Sequence, residues 1–89
     1  MEKQTSSITQ LLERISVNPK VMVGKPVIRG TRIPVELIVK MLAQGISSEE
    51  ILKEYPRLEP EDIRAALAYA SAVLSNEEVV PLVETEPVS

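Results

Sequence analysis

Arg29 and Arg32 flank a Gly-Thr pair and form the group with the most distinctive chemistry in this sequence. Residues 20–40 carry five basic side chains against one acidic side chain, a local net charge of +4. Guanidinium groups bind phosphate oxygens through several N–H donors, so this group predicts contact with a nucleic-acid backbone. The alternative is that one arginine pairs with a carboxylate at the edge of the core while the other basic side chains are solvated.

The chain lacks the side chains that most often carry out catalysis. Its 89 residues include no His and no Cys, which excludes disulfides, thiolate nucleophiles and Cys/His metal sites. Because His is the commonest general acid and base at neutral pH, catalysis would have to depend on Asp and Glu alone. We therefore expect a protein that binds another macromolecule, is not an enzyme and uses no cofactor.

Two further groups imitate functional sites but lack the required chemistry. Gly24-Lys25 is similar to the end of a phosphate-binding P-loop, but Pro26 stands where Ser or Thr would bind Mg²⁺. Glu50 and Glu54 share a helix face and imitate a carboxylate metal cluster. The absence of His and the presence of nearby basic side chains favour a solvated surface there.

The elements that position these residues follow from the hydrophobic pattern. Apolar residues from Ile8 to Ile15 have helical spacing, and a short strand at 14–17 competes for the end of that helix. Residues 21–35 are rich in β-branched side chains and are interrupted by two glycines, which predicts two short strands around a turn. If these strands pair, Arg29 and Arg32 both project near the tip of the hairpin.

Three helices are predicted after this hairpin, over about residues 34–44, 48–55 and 60–76. Ser47 and Glu50 have the spacing of a capping box at the start of the second helix. A helix, a short helix, a tight turn and a longer helix are the layout of a helix-turn-helix domain. The predicted buried stripe of the last helix is Ile63, Ala66, Leu67, Ala70, Val73 and Leu74.

The predicted fold is mostly α (α+β), with a tri-helical helix-turn-helix or winged-helix-like core and a small N-terminal β element. Residues 1–13 form an N-terminal helical arm in this prediction, residues 14–76 the domain, and residues 77–89 an acidic, flexible tail. A domain of this size is marginally stable alone, so we expect a homodimer.

The charge of the last helix opposes a direct role for it in reading DNA. Glu59, Glu61 and Asp62 crowd its first turn, where they would repel a phosphate backbone. Arg64 is the basic residue of that turn, and Arg57 precedes it. The candidate nucleic-acid contacts are therefore Lys25, Arg29, Arg32, Arg57 and Arg64.

The C-terminal segment 77–89 contains four glutamates and no basic residue. Its apolar residues lie between those glutamates, so the segment could add as a strand to a basic partner and fold on binding. Simple terminal disorder is the alternative. The candidate partner contacts are Val79, Val80, Leu82 and Val83.

The run GKPVIRGTRIPV over residues 24–35 resembles the signature of domain-of-unknown-function family 433. Shorter matches, such as Gly-Ile-Ser at 45–47, continue the resemblance over about residues 14–72. The sequence departs from the family pattern at Val23, where glycine is frequent, and at Glu59, where a helix-capping Thr is frequent.

This resemblance implies a helix-turn-helix-like domain and a function as the antitoxin of a type II toxin–antitoxin pair. Genes of the family often lie beside genes for PIN-like ribonucleases, so the implied partners are a PIN-like toxin and the shared promoter DNA. We also expect a cytoplasmic protein without membrane contact, because no run approaches the roughly 20 apolar residues of a membrane span. The alternative is a homodimeric interaction module without nucleic-acid binding, with an apolar surface from Ile8, Leu11 and Leu12.

Overall fold

A computed structural model describes residues 8–76 of the chain. The order of elements in that range is α1 (8–12), β1 (Ile15–Val17), β2 (Pro26–Ile28), α2 (Val35–Ala43), α3 (Ser48–Glu54) and α4 (Pro60–Asn76). The fold is mostly helical with a small antiparallel sheet near the N-terminus, as the sequence predicted. The predicted partner contacts at Val79, Val80, Leu82 and Val83 lie outside the described residues.

The sheet pairs β1 with β2, with Ile15 opposite Ile28. The strand predicted near residues 14–17 is therefore confirmed, but the second strand predicted after the arginine turn is not formed. After that turn the chain makes only an isolated bridge, between Val27 and Pro34. Pro34 has no N–H to donate and is the residue before α2, so the chain enters the helix before a third strand can form.

The connection between the strands contains a left-handed turn. Met22 and Val23 have φ values of +52° and +55°, and Gly24 follows with +82°. The N–H of Gly24 donates to the carbonyl of Val21 at 3.0 Å, which closes the turn. A β-branched residue rarely adopts this conformation.

Local hydrogen bonds fix the boundaries of the central helices. Gly45 has a φ of +90° just after α2, the left-handed conformation that commonly ends helices. Ser47 Oγ accepts from the N–H of Glu50 at 3.1 Å, and Glu50 Oε1 accepts from the N–H of Ser47 at 3.0 Å. The predicted capping box is thus confirmed. Helix α3 ends at Glu54, since the residue before Pro56 is disfavoured in helical conformation.

An aliphatic core lies between α2, α3, the first half of α4 and the sheet. Ile38 of α2 and Ile51 of α3 are completely buried at its centre. Burial of such side chains supplies most of the free energy that holds a small domain together. The full buried cluster is Ile28, Val35, Ile38, Met41, Ile51, Leu58, Ile63 and Ala66.

The predicted buried stripe of α4 holds only in part. Ile63 and Ala66 near its start are buried, but Leu67, Val73 and Leu74 are 46%, 44% and 71% exposed. The 17 residues of α4 rise about 26 Å, whereas the nine residues of α2 rise about 14 Å. The last turns of α4 therefore extend beyond the elements that cover its first half.

Candidate functional site

The turn after β2 holds Arg29 and Arg32 at the surface in a fixed geometry. The hydroxyl of Thr31 donates to the carbonyl of Ile28 at 2.7 Å and accepts from the N–H of Ile33 at 3.0 Å. Gly30 has a φ of +81° with open space around its Cα, so its conformation alone favours glycine. Within residues 8–76, the side chains of the two arginines form no ion pair and are exposed.

Arg57 joins this turn from the loop before α4. Its Nη2 donates to the carbonyl of Gly30 at 3.1 Å, which ties the arginine turn to the helical core. Arg29 and Arg57 also line one open cleft of about 640 Å³. Two of the predicted phosphate contacts are thus brought together, with Arg32 three residues along the same turn.

The cleft beside the arginine turn is not basic as a whole. Its charged lining consists of three arginines and three carboxylates, Arg14, Arg29, Arg57, Glu13, Glu59 and Asp62. The lining therefore has no net charge, and Arg32 is not part of it. A phosphate backbone would be attracted to the exposed arginines of the turn and not to the cleft as a whole.

Arg14 neutralises the acidic start of α4. Its Nη1 lies 3.0 Å from Glu59 Oε1 and 3.0 Å from Asp62 Oδ1. The hydrogen bond to Asp62, followed by that to Glu59, raises the pKa of Arg14 above its ordinary value. An arginine therefore does pair with a carboxylate at the edge of the core, as the alternative interpretation expected. That arginine is Arg14, and not Arg29 or Arg32.

Asp62 has a second contact that caps α4. Its Oδ2 accepts from the N–H of Glu59 at 2.8 Å, which is half of a capping box. Asp62 is 5% exposed, so this carboxylate belongs to the structure of the domain. The pairing of Asp62 with Arg14 was not predicted because the two residues are 48 positions apart and no local pattern links them.

The two remaining basic candidates lie elsewhere. Lys25 Nζ pairs with Glu36 Oε2 at 2.8 Å, and this hydrogen bond lowers the pKa of Glu36. Arg64 lies on α4 beside Gln10 and Leu11 of α1. The five predicted nucleic-acid contacts do not form one continuous surface.

An apolar groove of about 450 Å³ lies between α2 and the second half of α4. Val39 of α2 faces Tyr69, Val73 and Leu74 of α4 across it. We call it the α2–α4 groove. The charged residues at its rim are Lys25, Glu36 and Lys40, and Pro26, Val35 and Ala70 complete the lining.

A second groove, of about 460 Å³, lies on the opposite side of α4 against α1. Ile8 is 49% exposed beside it, and Leu67 of α4 lies on its other wall. We call it the α1–α4 groove. Both grooves expose apolar side chains of the kind that protein partners bury.

Over residues 8–76, the carboxylates form no group that could hold a metal ion. The helices in the same range include none with the length and hydropathy needed to cross a bilayer.

The chain is similar to known proteins both in sequence and in fold. The profile of a family described as a protein of unknown function (DUF433) matches residues 15–70. The crystal structure of a DUF433 member protein from Anabaena variabilis is similar, with a TM-score of 0.67 and 34% sequence identity, covering 83% of this chain and 73% of that chain.

Two curated relatives carry no functional name. An uncharacterized protein of Sinorhizobium fredii is 42% identical over 60 residues, which are 67% of this chain and 27% of the relative. The chain therefore spans little more than a quarter of that relative's length. An uncharacterized protein of Archaeoglobus fulgidus is 63% identical over 30 residues, 34% of this chain and 83% of the relative.

Proposed function

The chain belongs to the DUF433 family of proteins of unknown function, and from this premise we propose that it is an antitoxin that binds a PIN-like ribonuclease toxin. In this proposal the apolar α2–α4 groove receives the toxin, and the arginine turn contacts the promoter DNA of the gene pair. The chain itself carries out no catalysis.

The exposed apolar end of α4 is the observation that carries this proposal. Val73 and Leu74 are 44% and 71% exposed beside the groove, although they continue the face of α4 that packs into the core. An amphipathic helix is stable when such a face is covered by another element. A protein partner that inserts apolar side chains into the groove would supply that cover.

A co-purification experiment tests toxin binding. The chain is expressed together with the product of the neighbouring gene, which the proposal identifies as the ribonuclease, with an affinity tag on that product alone. A stoichiometric complex is expected for the wild-type chain, and loss of the complex for Val73→Glu combined with Leu74→Glu. Ser48→Glu is the matched control, because it adds the same kind of charge at the exposed start of α3, where the helix dipole favours it.

DNA contact by the arginine turn gives a separate prediction. Arg29→Ala combined with Arg32→Ala should weaken binding of the complex to promoter DNA and lower the salt slope, by about 1 for each phosphate that is no longer neutralised. Electrophoretic mobility shifts at several salt concentrations measure both effects. Lys53→Ala is the comparison, since Lys53 is an exposed basic residue of α3 that does not line the cleft beside the turn. An unchanged salt slope in the double variant would remove the turn from the proposal.

The α1–α4 groove favours a second candidate, a homodimeric interaction module that binds no nucleic acid. Ile8 and Leu67 expose apolar surface on its two sides, and a second copy could bury both. Analytical ultracentrifugation of the full chain distinguishes the candidates. A dimer that dissociates on Leu67→Glu, in a chain that binds neither ribonuclease nor DNA, would support the module.

A further inference from the structure

The α2–α4 groove is built to hold a segment with apolar side chains. Its walls include Val39 and Tyr69, and Val73 and Leu74 extend the same apolar surface toward the end of α4.

The chain itself continues from that end of the groove. Residues 77–89 follow α4 directly, three positions after Leu74. An extended chain advances about 3.3 Å per residue, so residues 79–83 span roughly 17 Å. The α4 segment from residue 69 to residue 74 rises only about 8 Å. A reversal at residues 77–78 therefore leaves enough length for the apolar residues 79–83 to run back along the whole groove.

The charges of the groove and of this segment are complementary. Lys25, Glu36 and Lys40 at the rim sum to a charge of +1. Glu36 is satisfied by Lys25, and Lys40 forms no ion pair within residues 8–76. The segment 77–89 carries four glutamates and no basic residue, a charge of −4. Glutamates that flank an apolar run are placed to meet lysines at the rim of an apolar groove.

We propose that residues 77–89 fold back and occupy the α2–α4 groove of their own chain. Covalent linkage gives this segment a high effective concentration at the groove, which a separate partner does not have. The inference goes beyond the proposed function, because it concerns the free protein and requires no toxin. It also gives the groove an occupant that a toxin has to displace.

Leu82→Trp in the full chain tests the proposal, because the protein contains no Trp and the new indole is its only one. The expected result is a blue-shifted emission with weak quenching by acrylamide. Val73→Glu in the same chain should shift the emission to that of a solvent-exposed indole. Ser71→Glu is the matched control and should leave the emission blue-shifted, because Ser71 is exposed, lines the α1–α4 groove and lies two residues before Val73, on the other side of the helix.

Two results would overturn intramolecular docking. One is a solvent-exposed emission for Leu82→Trp in a chain whose circular dichroism matches the wild type. The other is a blue shift that disappears on dilution together with a dimer, which would assign the groove to the segment of a second copy.

A second measurement avoids the introduced indole. Replacement of Val79, Val80, Leu82 and Val83 by Ser should move the amide NMR signals of the groove residues, such as Val39, and leave those of α3 unchanged. Unmoved groove signals contradict docking. Because neither measurement includes a ribonuclease, their failure leaves toxin binding to be decided by co-purification.

Discussion

Asp62 has two structural tasks, since it pairs with Arg14 and caps α4 at the N–H of Glu59. Asp62→Asn keeps an oxygen for the cap but removes the charge that Arg14 requires. We expect a loss of about 2–3 kcal/mol in the free energy of unfolding, because the pair involves a buried carboxylate. Urea denaturation at constant m-value measures this change.

Glu59→Gln is the matched control for that substitution. Glu59 binds the same arginine at the same distance of 3.0 Å, but its side chain is exposed to solvent. Its replacement should cost no more than about 1 kcal/mol. Equal losses of unfolding free energy for the two variants would contradict the claim that the Arg14–Asp62 pair contributes more than the Arg14–Glu59 pair.

Val23 occupies a backbone conformation that suits glycine. Its φ is +55° and it is 91% exposed, so its side chain contributes little packing in return. Relief of the left-handed conformation is worth about 1–2 kcal/mol, and the added freedom of glycine in the unfolded chain costs about 0.5–1 kcal/mol. Val23→Gly should therefore stabilise the protein by roughly 0.5–1 kcal/mol in thermal or urea unfolding.

Val17→Gly provides the comparison for Val23→Gly. Val17 is also exposed, but it lies in the extended strand β1. The same substitution there should destabilise the protein by about 0.5–1 kcal/mol. Destabilisation by both substitutions would show that the turn at Val23 is not strained.

The single residues of the site differ in how far sequence could predict them. Charge clustering was sufficient to single out Arg29 and Arg32, which the structure leaves exposed and without ion pairs within residues 8–76. The roles of Arg14 and Asp62 depend on a contact across 48 positions. Such contacts follow from the packing of whole elements, so no local pattern predicts them.

At the scale of elements, Ser47 defines the start of α3. Its hydroxyl accepts from the N–H of Glu50, so Ser47→Ala should cost about 1 kcal/mol in the free energy of unfolding. Ser48→Ala, one position into the helix, should be neutral or slightly stabilising because Ala has the higher helix propensity. Circular dichroism during urea unfolding compares the two. A smaller loss for Ser47→Ala than for Ser48→Ala would contradict the cap.

The helices were more predictable than the sheet for a physical reason. Caps such as Ser47 and Gly45 act within a few residues, so the sequence carries their pattern directly. Strand pairing depends on contacts between segments far apart in sequence, and β2 pairs with β1 over three residues but makes only an isolated bridge across the arginine turn. The exposure of Val73 and Leu74 was also not predicted. Helical periodicity shows which face of a helix is apolar, but it does not show how far along that face other elements pack.

At the scale of the whole molecule, the family match ends at residue 70. Val73 and Leu74, which extend the α2–α4 groove, lie beyond that match, whereas Lys25, Val39 and Tyr69 lie within it. One part of the groove is thus formed by residues within the family match, and the other part by the apolar end of α4 beyond that match. We expect this extension to set the affinity and choice of partner.

The most direct test of the proposed function is whether the full chain inhibits the product of the neighbouring gene, which the proposal identifies as a PIN-like ribonuclease. Cleavage of an RNA substrate is followed while the full chain is titrated as wild type, as Val73→Glu with Leu74→Glu, and as Ser48→Glu. We predict stoichiometric inhibition by the wild type and the Ser48 control. The groove variant should inhibit at least about tenfold more weakly, since it replaces two apolar side chains of the interface by charged ones. Undiminished cleavage with the wild-type chain, or equal inhibition by all three, would contradict toxin binding at the α2–α4 groove.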